Sequence, residues 1–94
     1  MSLNFLTELQ DLIDDRKKEM PEGSYTTKLF QKGINKIAQK VGEEAVELVI
    51  ESKDTNDHLF LNEAADLMYH LIVLLTEKGY RIEDVEQILI ERHK

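Results

Sequence analysis

Two short acidic runs are the part of this 94-residue sequence best suited to chemistry: Glu43, Glu44 and Glu47, then, after fifteen residues, Glu63 and Asp66. On a helix the first three fall within an arc of about 100°, so all can enter one space. Glu63, Asp66 and His70 fall within about 60° of one another on a second helix. They lie among Leu59, Leu67, Val73 and Leu74, on a face expected to be buried. Carboxylates in such a setting need partners, because burying an unpaired charge is costly.

The two helices should be joined by the polar stretch Lys53-Asp54-Thr55-Asn56-Asp57. A short turn makes them antiparallel, so residues whose numbers add to about 110 should lie level. That sets Glu47 against Glu63, Glu44 against Asp66, and Lys40 opposite His70. Facing carboxylates repel, and a hard divalent cation relieves the repulsion. All-oxygen ligation without cysteine favours magnesium, or manganese, over zinc. Such an ion bridges carboxylates to substrate phosphates and lowers the pKa of an attacking water, which is chemistry for phosphoanhydride hydrolysis.

A second account fits the first run equally well. Lys36, Lys40, Glu43, Glu44, Glu47 and Glu51 would also make a solvated, ion-paired helix face. It serves Glu63 and Asp66 badly. A di-iron bundle is excluded, since it needs Glu-x-x-His pairs and the residues three before His58, His70 and His93 are Thr55, Leu67 and Ile90.

Helical elements must position these groups. Leu3, Leu6, Leu9, Leu12 and Ile13 recur at helical spacing, with Pro21 and Gly23 as the stop. Ser24 is a candidate N-cap for a short helix ended by Gly33. A third helix is expected from about Ile34 to Ser52, a fourth ending before Gly79, and a fifth from Ile82 to Arg92. The expected fold is an all-α bundle of about five helices around a central antiparallel pair. On the third helix Ile34, Ile37, Val41, Ala45 and Leu48 share a face, while Val46 and Ile50 lie nearly opposite. The fourth helix is apolar almost all round. A chain this short has few elements to cover two such helices, so a homodimer is expected. Gly42, within the third helix, implies either close packing or access beside Glu43.

Composition sets the outer limits. The length suits one domain over residues 1–94. The absence of cysteine agrees with a reducing compartment. Met1 to Phe5 lead into the amphipathic pattern without a basic segment and apolar stretch, so a cytoplasmic protein is expected. Leu59 to Leu75 is interrupted by Asn62, Glu63, Asp66 and His70, which disfavours a membrane span. A net charge of −7 argues against nucleic-acid binding. A phosphate-bearing substrate would need cations for attraction.

The pattern Glu43-Glu44-x-x-Glu47 followed by Glu63-x-x-Asp66 resembles the MazG-like all-α nucleoside triphosphate pyrophosphatases. More specifically, Ser24-Tyr25-Thr26, Lys36-Ile37-Ala38-Gln39-Lys40-Val41-Gly42-Glu43-Glu44-Ala45 and Glu63-Ala64-Ala65-Asp66-Leu67-x-Tyr69-His70 resemble the phosphoribosyl-ATP pyrophosphatase family. The likeness runs from about Phe5 to Val85. It implies a MazG-like fold, magnesium binding by the acidic residues, and hydrolysis of phosphoribosyl-ATP between its α and β phosphates in histidine biosynthesis. Glu44, Glu47, Glu63 and Asp66 are then the expected ligands, with Glu43 a ligand or outer group. Lys36 and Lys40 would hold phosphate oxygens or pair with Glu43 and Glu44. Tyr69 and His70 would touch substrate or support the site. Ser24, Tyr25 and Thr26 would bind substrate or only cap the short helix. The alternatives are a housekeeping nucleoside triphosphate pyrophosphatase and a non-catalytic helical interaction module.

Overall fold

A computed structural model describes residues 4–94; Leu3 and the start of the N-terminal segment lie outside the described residues. Five helices follow in order: α1 (Asn4–Glu19), α2 (Tyr25–Lys32), α3 (Ile34–Glu51), α4 (Asp57–Lys78) and α5 (Ile82–Arg92). The all-α expectation holds, with no strand among the described residues.

Local chemistry sets the boundaries. Pro21 bars Met20 from the right-handed helical region, and Met20 takes φ 50° instead, ending α1. The Ser24 hydroxyl accepts from Thr27 N–H at 3.2 Å and caps α2 as expected. Asn56 caps α4 by accepting from Leu59 N–H at 3.1 Å. Gly79, left-handed at φ 86° and ψ 18°, closes it, with Tyr80 N–H donating to the Leu75 carbonyl at 2.8 Å.

The core is built from Ile13 of α1, Leu29 and Phe30 of α2, Ile37 of α3, and Ile72 and Val73 of α4. The helices α3 and α4 form the most extensive pairing, as the turn near Thr55 requires. A second, polar junction joins α1, α4 and α5. There the fully buried Gln10 donates to Thr76 Oγ1 at 3.0 Å and to the Tyr80 carbonyl at 2.9 Å. Its oxygen accepts from Ile82 N–H at 2.6 Å, satisfying a free donor at the start of α5.

The two-sided apolar pattern has a visible consequence. Ile37 is buried, but Val46, Val49 and Ile50 of α3 and Leu59, Leu61 and Met68 of α4 are exposed in the single chain, Val46 by 60%. Ile34 is exposed too, so the face assigned to it is only partly covered. By length and composition α4 is apolar enough to cross a membrane, although Glu63, Asp66 and His70 lie along it. A Cβ added to Gly42 would meet nothing within 4 Å. Close packing inside this chain therefore does not explain that glycine.

Candidate active site

The hairpin brings Glu44 to Asp66 and Glu47 to Glu63, two of the three level pairs set by its turn. Glu44 of α3 and Glu63 and Asp66 of α4 offer carboxylate oxygens that all lie within 4.8 Å of one another. Glu47 is a close neighbour of Glu63 and, with Glu44 and Asp66, adds to the negative charge around it. Glu43 stands apart from this group. It is exposed, accepts a hydrogen bond from Gln39 Nε2 at 2.8 Å, and has a pKa lowered by that bond and by Lys40.

Burial within the cluster differs from expectation in one respect. The α4 carboxylates were to be the buried members and the α3 set the ambiguous one. Instead Glu44 is the most buried, at 7% exposure, Glu63 is half-buried, and Asp66 is exposed. Burial and the neighbouring carboxylates Glu47, Glu44 and Asp66 push Glu63 up to about 7. Its Oε1 is buried without a hydrogen-bond partner. An orphaned buried oxygen beside two further carboxylates fits a divalent cation, and the all-oxygen donor set suits a hard one.

One buried oxygen was not foreshadowed. Glu51 Oε1, one turn beyond Glu47, is also buried without a partner. Its place on the charged face of α3 gives no sign of this.

Cations line the other side. Lys40 Nζ lies 3.5 Å from Glu43 and 3.4 Å from Glu44, so the ion-pairing role considered for it is realised. Burial works against its charge, yet the Tyr25 oxygen and the Glu44 and Glu43 carboxylates outweigh this and raise its pKa. Lys36 is half-buried one turn earlier and adds positive charge near Glu43.

The start of α2 is tied to α4 by two successive rungs. Tyr25 Oη lies 2.8 Å from His70 Nε2, and the Thr26 hydroxyl bonds that of Tyr69. His70 Nδ1 lies 2.7 Å from the Asp66 carbonyl, and the ring meets Tyr25 edge-on, with centroids 5.7 Å apart. Ser24 caps the helix, and Tyr25 and Thr26 reach across to α4. Tyr25 is close enough to Lys40, Glu44 and Asp66 for their charges to act on its hydroxyl. These residues therefore gather where α2, α3 and α4 meet.

Residues 6–93 match the family model described as phosphoribosyl-ATP pyrophosphohydrolase. The chain belongs to the phosphoribosyl-ATP pyrophosphohydrolase family. Among its relatives is a phosphoribosyl-ATP pyrophosphatase from Leptospira biflexa, 44% identical over 97% of this chain and 99% of the relative. Another from Clostridium acetobutylicum is 48% identical over 95% of this chain and 81% of the relative. The histidine biosynthesis bifunctional protein HisIE of Bacteroides thetaiotaomicron is 65% identical over 95% of this chain, which spans only 44% of that longer protein. Relatives in this family thus include both short proteins and bifunctional ones.

Proposed function

We infer that this chain hydrolyses phosphoribosyl-ATP to phosphoribosyl-AMP and pyrophosphate, the pyrophosphatase step of histidine biosynthesis, in the cytoplasm. The carrying observation is the cluster of Glu44, Glu63 and Asp66, with its orphaned buried oxygen, in a chain of this family. Those three, with Glu47 beside them and Glu43 at the rim, would hold magnesium, or manganese in its place. When bound, the ion supplies charge neutralisation and a lowered pKa for the attacking water. One water is consumed, the bond between the α and β phosphates breaks, and pyrophosphate leaves. Lys40 and Lys36 present compact positive charges for phosphate oxygens beside the acidic cluster. Tyr69 and His70 hold α2 over the site.

The measurement is pyrophosphate release from phosphoribosyl-ATP and from ordinary nucleoside triphosphates, with and without magnesium. Metal-dependent release that strongly favours phosphoribosyl-ATP is expected. Equal rates on all substrates would indicate a housekeeping pyrophosphatase, and no release with or without magnesium a non-catalytic module.

The working unit is a homodimer paired through α3 and α4. The chain has a radius of gyration of 14.4 Å, against roughly 12 Å for a compact domain of this length. Its accessible surface is 6549 Å², against roughly 5600 Å² for a monomer of this mass. The excess belongs to an open shape, and Val46, Val49, Ile50, Leu61 and Met68 supply an apolar face on its central helices. Sedimentation at micromolar concentration should give a dimer; a stable monomer would contradict the assignment.

A further inference from the structure

The hydrogen bonds of His70 fix what Tyr25 can offer a ligand. His70 Nδ1 lies 2.7 Å from the main-chain carbonyl oxygen of Asp66, one turn earlier on α4. A carbonyl oxygen can only accept, so Nδ1 must carry the ring proton. In the neutral imidazole, Nε2 is then left with a lone pair, 2.8 Å from Tyr25 Oη. The phenol must donate its one proton to Nε2. What remains on the Tyr25 oxygen is acceptor capacity alone, and no other hydrogen bond to it forms among the described residues.

Two observations distinguish this from a simple tie between helices. Tyr25 is 50% exposed, so its ring is open to a ligand instead of filling the core. Its oxygen also lies within the electrostatic reach of Lys40, Glu44 and Asp66, which places it beside the candidate reacting groups. The neighbouring Thr26–Tyr69 rung already ties the same two helices, so the Tyr25 rung is not needed for that alone.

An acceptor-only oxygen repels phosphate oxygens and suits a hydroxyl. We propose that Tyr25 receives a ribose hydroxyl of the substrate, and that His70 is the positioning residue that accepts the phenol's hydrogen bond and so excludes a phosphate oxygen from this point. The assignment rests on the phosphoribosyl-ATP reading and adds a polarity to it. The anionic groups of the substrate go to the lysines, and a sugar hydroxyl goes to Tyr25.

Two measurements test it. Long-range proton–nitrogen NMR of the full-length chain at pH 8 should show His70 protonated at Nδ1 and bare at Nε2; a proton on Nε2 would overturn the proposal without any variant or substrate. Tyr25→Phe, which keeps the ring, should lower kcat/KM for phosphoribosyl-ATP about 10-fold in magnesium. The same substitution should change the rate by less than about 2-fold on one of the four analogues that each lack one ribose hydroxyl, because that analogue has already lost the bond. An undiminished effect on all four analogues, or no effect on the parent substrate, would overturn the hydroxyl assignment. Failure of the underlying reading looks different: wild-type protein would release no pyrophosphate from phosphoribosyl-ATP, while the His70 tautomer would still be read directly.

Discussion

Gln10 and Glu63 are both polar side chains drawn into the bundle, and their surroundings treat them in opposite ways. Gln10 is fully buried, and both ends of its amide are satisfied by Thr76, Tyr80 and Ile82. Glu63 has one oxygen buried without a partner and three other carboxylates around it. A satisfied buried amide adds stability and specificity to a junction. A crowded carboxylate set does neither unless something else neutralises it. The contrast separates the end of the molecule that holds the fold from the end proposed to hold a ligand.

The largest expected effect comes from removing the charge at the crowded end. Glu63→Gln should lower turnover at least about 100-fold, since even groups supporting metal ligands commonly cost 10- to 100-fold. Thermal stability without metal should be unchanged or higher, because one source of repulsion is gone. The pH response sharpens the point. The Glu63 carboxyl is raised from the usual 4.5 to about 7, so the native state holds its proton more tightly than the unfolded chain does. The resulting stabilisation is present below about pH 4.5 and is lost as pH rises through about 7. Melting of metal-free protein between pH 4.5 and pH 8 should show this loss in the wild type and not in Glu63→Gln. Equal pH profiles would place the titrating group elsewhere.

The two ends also differed in how far their residues revealed them. The acidic site was legible because helical spacing and a short turn constrain it: a hairpin centred near Thr55 sets Glu44 level with Asp66 and Glu47 with Glu63. Element boundaries followed from Ser24, Gly33 and Gly79, whose cap geometry is local. Burial was not legible to the same degree. Asp66 is exposed, against what its apolar flanks suggest, and Glu44, which helical spacing left ambiguous, is buried, because depth depends on packing between helices and not on spacing within one. The Gln10 junction left no mark in the pattern at all. A glutamine in an amphipathic helix looks like any surface residue until α5 folds back across Thr76 and Tyr80.

That unheralded junction supplies the smaller prediction. Gln10→Leu retains volume but leaves the Ile82 N–H and the Tyr80 carbonyl without their partner. Each is a backbone group at the end of a helix, where few substitutes exist. The expected cost is about 1–3 kcal/mol, which for a domain of this size lowers the melting temperature by several degrees. Gln10 touches none of the carboxylates, so kcat at a temperature where the variant is folded should match the wild type. The salt bridges of Arg81 to Asp11 at 2.9 Å and Asp14 at 2.7 Å still hold the start of α5 against α1 and should keep the loss within that range. If Gln10→Leu instead depressed turnover as strongly as Glu63→Gln, the two ends would be coupled through α4, and the division between a structural and a catalytic end would fail.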